Sequence, residues 1–156
     1  MATALALTVA DDALPFVDEH HVVVQAPADA VWRALGRRTP GGRHMAHAVA
    51  TLLGAEPRHA SGEPLVAGST IPGFTVADAD PARLARLVGR HRFSRYALEL
   101  TLAEGPGGTT LTARTFAAFP GLRGRVYRGL VVGSGAHRGL VGRLLRAVRR
   151  SAEDGR

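Results

Sequence analysis

Histidine is the side chain in this sequence best suited to moving a proton near neutral pH, and seven are present. His137 lies in YRGLVVGSGAHRGLVGRLL (Tyr127–Leu145), a stretch with helical periodicity that carries Ser134 and His137 on its apolar side. His91 and Tyr96 stand close together in GRHRFSRYALEL. A histidine base at His137 or His91, with the Tyr96 phenol steadying an enolate oxygen, is the kind of pair that moves a proton α to a carbonyl. Tyr127 is a second phenol of the same type. His20 and His21 are adjacent in an extended stretch and so face opposite ways. His44 and His47 have the i, i+3 spacing that brings two ligands to one helix face, but no further ligand pair stands at a fitting spacing. No metal site and no cofactor are expected.

The bland alternatives are substantial. A histidine on an apolar helix face is more often a hydrogen-bonded core residue than a ligand contact. A serine between two glycines commonly bonds the local backbone. GSG around Ser134 is not the G-x-S-x-G nucleophile elbow, which also needs a preceding strand, so a serine hydrolase is excluded.

Composition excludes more. The chain of 156 residues has no cysteine, which removes disulfides, thiolate metal sites and cysteine nucleophiles. All 20 basic residues are arginine. Without lysine there is no Schiff base and no P-loop. The absence of lysine, with abundant Ala, Gly and Pro, points to a GC-rich bacterial genome, which weakens the meaning of the net charge of +7. That charge attracts phosphate without specificity, but no aromatic interleaving or recognition helix supports a specific nucleic-acid partner. The N-terminus lacks a basic n-region and no run of 18 apolar residues occurs, so the reading is a cytoplasmic protein without a transmembrane segment.

These side chains must be positioned by a short list of elements. FVDEHHVVVQAP (16–27) reads as a strand ended by Pro27, and PADAVWRALG as a short helix. RHMAHAVATLLGAEP reads as a second short helix closed by Gly54. Residues 64–80 make two strands around the Pro72-Gly73 turn, and 82–93 fits a strand in that company although its leucine spacing also allows a helix. In 95–104 Tyr96, Leu98, Leu100 and Leu102 alternate onto one face, and 109–119 returns after the GPGG turn. From Leu122 to about Glu153 the pattern is helical. Val126, Leu130, Val141, Leu144 and Val148 share an arc of about 60°, with Tyr127 and Leu145 at its edge and Arg125, Arg128, Arg143, Arg146 and Arg150 opposite. Gly133 and Gly135 predict a kink or break beside Ser134.

That order, and the opening VVVQAPADAVWRAL (Val22–Leu35) above all, resembles the START-like (SRPBCC, helix-grip) superfamily of lipid-transfer, pollen-allergen-like and aromatase/cyclase domains. FPGLRGRVYRGLVVGSGAHRGLVGRLLRAV is similar to bacterial START-like domains of unassigned function. The resemblance implies an α+β fold. A curved antiparallel sheet would wrap around the long terminal helix, with two short helices after the first strand and a cavity between sheet and helix. It covers about residues 14–150, so a single domain over 14–153 follows a tail over 1–13. It also implies that Val22, Val24, Ala26 and His20 face inward. The expected ligand is a small hydrophobic molecule, a lipid or an aromatic, polyketide-like compound. Leu98, Leu100, Leu130 and Val141 would form its apolar wall, and His20, His91, Tyr96, Tyr127, Ser134 and His137 the polar lining. A cyclase/aromatase enzyme and a protein-interaction domain are the alternatives. Nothing in the sequence sets an oligomeric state.

Overall fold

The computed structural model describes residues 14–38 and 51–155. Six strands form one antiparallel sheet: β1 (Phe16–Val24), β2 (Thr70–Ile71), β3 (Phe74–Asp80), β4 (Leu84–His91), β5 (Ser94–Gly105) and β6 (Gly108–Ala118). Their order is β1-β6-β5-β4-β3-β2, so each strand after β2 neighbours its predecessor and β1 closes onto the last. The helices are α1 (Ala28–Arg38), α2 (Gly121–Arg128) and α3 (Ala136–Asp154), with a π turn (Gly129–Gly133) between the last two. The sheet is curved but not closed, and with the long C-terminal helix it makes the expected helix-grip arrangement. The segment 82–93, open to two readings in sequence, is a strand because both its neighbours pair with it along its length.

Alternation sets the two faces of the sheet. In β1 Asp18, His20, Val22 and Val24 turn inward while Glu19, His21 and Val23 are exposed. In β6 Leu111, Ala113, Thr115 and Ala117 turn inward. Registration joins these into rows: Asp18 pairs with Thr115, Thr115 with Leu98, Leu98 with Leu87 and Leu87 with Val76. The next row runs His20, Ala113, Leu100 and Ala85. A register shift between Phe16 and Asp18 leaves Val17 as the extra residue just before the polar end of the first row.

α3 closes the inner face. Val141, Leu145, Val148 and Ala152 are buried with Leu100, Leu111, Ala113 and the α1 residues Val31 and Leu35. The i, i+4, i+7 spacing gives α3 one apolar stripe, which the core accepts. Two further bonds pin the helix: Glu153 Oε1 accepts from the Gln25 amide at 3.0 Å, and Arg37 donates to Ser151 at 3.4 Å.

The break expected beside Ser134 is present, but the dry face expected on both sides of it is not. Gly135 takes a left-handed conformation (φ 78°), and the preceding π turn shifts the helical phase. α2 therefore leaves the direction of α3. Val126 and Leu130, expected on the dry face, are 58% and 67% exposed. The tail expected over 1–13 and most of the second short helix, including His44 and His47, lie outside the described residues; residues 51–53 are helical.

Candidate functional site

On the inner face of β1 and β6 Thr109 bonds the Ala26 carbonyl at one end, and the other polar side chains gather in one place. Asp18 is buried, and its two carboxylate oxygens meet two imidazoles. His20 Nε2, two residues along the same strand face, is 3.2 Å from Asp18 Oδ2. His137 Nε2, from the first turn of α3, is 3.3 Å from Asp18 Oδ1 and 3.1 Å from Thr115 Oγ1. The His137 contact to Asp18 is close but off the line of a hydrogen bond, which leaves Oδ1 buried without an aligned donor. His20 and His137 keep 28% and 20% of their side-chain surface open.

The electrostatics follow from this packing. Burial alone would push the Asp18 carboxyl up. The Thr115 hydroxyl, the His137 ring and the His20 ring outweigh it and hold the group below its ordinary value. A carboxylate fixed between two imidazoles and a hydroxyl orients both rings. Such an island can bind a hydroxyl, carbonyl or acidic group at the edge of an apolar surface, or pass a proton. Among the described residues no group of three or more His, Asp or Glu side chains is set to hold a metal ion.

The second constellation is aromatic. His91, Tyr96 and Tyr127 come together with Phe74, Phe93 and Phe119. The His91 ring lies 4.8 Å from Tyr127 and 5.4 Å from Tyr96, and Tyr127 stacks on Phe93 at 5.4 Å. Tyr96 Oη donates to the Gly73 carbonyl at 2.7 Å, and burial raises its phenol far above the usual range. His91 Nδ1 accepts from the Phe93 amide at 3.1 Å, and burial lowers its pKa by disfavouring the charged ring. Burial also raises the Tyr127 phenol. These polar atoms serve the hairpin ends: the Tyr96 hydroxyl is committed to the backbone.

The ten residues expected to line a pocket thus fall into groups. His20 and His137 meet at Asp18; His91, Tyr96 and Tyr127 form the aromatic cluster. Leu100 and Val141 are buried in the core, with Leu98 half-buried against it one strand from Thr115. Leu130 is on the outside, two-thirds exposed. Ser134 is exposed too, its hydroxyl donating to the Leu130 carbonyl one turn back. Both lie off the buried face because the helix breaks before α3 begins. Asp18 and Thr115 were missed. The inward alternation that singled out His20 applies equally to Asp18 two residues earlier, so the signal for Asp18 was present. Thr115 looked like one of several strand threonines.

Sheet, connections and terminal helix together define the class: an α+β, helix-grip arrangement. No sequence-family model matches the chain, and no curated protein matches it at a significant level. Solved structures do match. A protein from Rhizobium leguminosarum is 15% identical, with 88% of this chain on 93% of that one at a TM-score of 0.53. A Bacillus halodurans protein is 18% identical, with 87% on 97% at 0.52. DynU16, from the dynemicin biosynthetic locus, is 23% identical at 0.50; it aligns with 82% of this chain, which spans only 45% of it. At these identities the likeness is one of fold.

Proposed function

We propose that this domain, residues 14–153, binds and carries a small hydrophobic molecule between the inner face of the sheet and α3. The reading is of a cytoplasmic carrier of a lipid or an aromatic, polyketide-like compound. One observation carries it: the Asp18–His20–His137–Thr115 island interrupts an apolar sheet face and keeps both imidazoles part-open. Apolar sites with a few convergent polar groups bind ligands by burying the apolar body and orienting the polar end. Half-buried Leu98, paired across the sheet with Thr115, supplies apolar contact beside the island.

The cyclase alternative draws on the His137–Asp18 pair, in which the carboxylate orients a ring able to take a proton. The Tyr96 hydroxyl argues against it as drawn from sequence, since its bond to Gly73 leaves no proton aimed at an enolate.

Fluorescence titration of the purified protein with cis-parinaric acid and with 1-anilinonaphthalene-8-sulfonate tests carriage. Saturable binding of at least one probe is expected, abolished by Leu98→Asp and weakened by His137→Ala. Absence of saturable binding to either probe would refute the reading. Binding undiminished in Leu98→Asp would refute the location.

A further inference from the structure

An exposed apolar ridge that the proposed site does not use lies on α2. Leu122, Val126 and Leu130 are 71%, 58% and 67% exposed and stand at i, i+4 and i+8, one ridge along α2 into the π turn. Beside the ridge an open depression of about 390 Å³ is lined by Phe93, Leu122, Arg123, Val126, Tyr127 and Leu130. Leu140, at the start of α3, is 68% exposed as well.

The charge around the ridge is of one sign. From Gly105 to Ala152 the sequence holds nine arginines and no Asp or Glu. Arg123, Arg125, Arg128 and Arg138 are exposed, and among the described residues none of the four is held in an ion pair. Three arginines elsewhere on the surface are paired, Arg33 with Asp29, Arg90 with Glu56 and Arg114 with Glu19, whereas those of α3 add, among the described residues, to the unpaired positive charge.

We propose that α2 and the π turn are a docking surface for an anionic lipid bilayer. The ridge would lie in the interface with its aliphatic side chains among the acyl chains and its arginines on the headgroup phosphates. An amphipathic helix whose apolar face is flanked by cations binds this way. A nucleic acid would engage the arginines but gain nothing from three exposed aliphatic side chains. Tyr127, the aromatic ring of α2, is stacked on Phe93 rather than offered to a base. The left-handed turn at Gly135 lets α2 diverge from α3, so the ridge engages a surface while α3 stays in the core. The proposal stands apart from carriage, although a carrier docked on a bilayer would have direct access to apolar cargo.

Co-sedimentation of the full-length protein with vesicles of phosphatidylcholine, with and without phosphatidylserine, is the test. The expected result is binding to phosphatidylserine-containing vesicles, weakened by salt, and none to phosphatidylcholine alone. Val126→Asp with Leu130→Asp should lower the partition at least about tenfold with the melting temperature unchanged, because both side chains are exposed. Arg123→Glu with Arg125→Glu should act in the same direction. No binding to anionic vesicles overturns the proposal, as does binding that ignores the Asp pair. Retention on polyglutamate or duplex DNA without vesicle binding overturns it in favour of an acidic protein or a nucleic acid. The same Asp pair should leave cis-parinaric acid binding intact, while Leu98→Asp should spare vesicle binding, so the two readings fail separately.

Discussion

Asp18 is the residue on which the proposed site turns. With one acidic group holding two imidazoles and a hydroxyl, its removal leaves three polar partners facing an apolar surface. Asp18→Ala should therefore cost about 1–3 kcal/mol, measured by urea unfolding near neutral pH. The carboxyl is held below its ordinary value of 3.8, so its stabilising contribution is present above that pH and is lost as the pH falls through the lower folded value. His91 gives a second dependence at milder pH. The fold favours its neutral ring, so below about 6.5 the unfolded chain binds more protons than the folded one. Stability should be full above that pH and decline as the pH drops below it. His91→Asn keeps an acceptor for the Phe93 amide but cannot titrate, and thermal melts across this range should show a flatter pH slope for the variant. A wild-type slope retained in full would place the titrating group elsewhere. Histidines and tyrosines were legible as candidates in sequence because their chemistry is intrinsic. Their partners were not, because Asp18 and His137 are brought together across most of the chain.

At the scale of elements, close approaches decide where strands and helices can run. A Cβ on Gly89 would stand 2.0 Å from the Gly73 carbonyl oxygen and 2.6 Å from the Tyr96 ring, at the place where Tyr96 bonds that same carbonyl. Gly89→Ala should lower stability by about 3 kcal/mol or more, at the upper end of overpacking costs, with loss of the Tyr96–Gly73 bond. A melting temperature within a degree or two of wild type would mean the hairpins separate more easily than this packing allows. The start of α1 is capped from a distance: Glu104 of β5 accepts from the Ala28 amide at 2.7 Å, placing a carboxylate at the positive helix end. Glu104→Ala should cost about 1 kcal/mol, as loss of a helix cap does, and circular dichroism melts would show it. Strand periodicity, the Pro27 boundary and the glycine break near residue 134 were readable because they arise from local stereochemistry. The cap was not, since its two groups are 76 residues apart.

For the whole molecule the governing relation is between a curved sheet and one helix that covers part of it. α3 is held by its apolar stripe, by α1 and by Glu153 at its far end, and no helix among the described residues is long and apolar enough to cross a membrane. The sequence by itself determined most of the element order, the shared face of Tyr96, Leu98, Leu100 and Leu102, the cationic back of the last helix and the exclusion of thiol and lysine chemistry. Those follow from alternation, periodicity and composition, which are properties of neighbours along the chain. Only the tertiary structure decided that the terminal segment is two helices in different directions, so that Leu130 and Ser134 face out while His137 faces in. It alone brought Asp18 between two imidazoles and tied the Tyr96 hydroxyl to a backbone carbonyl. A helical wheel assumes one axis and one phase; a left-handed glycine and a π turn change both, and where the side chains point after that is set by packing across the sheet.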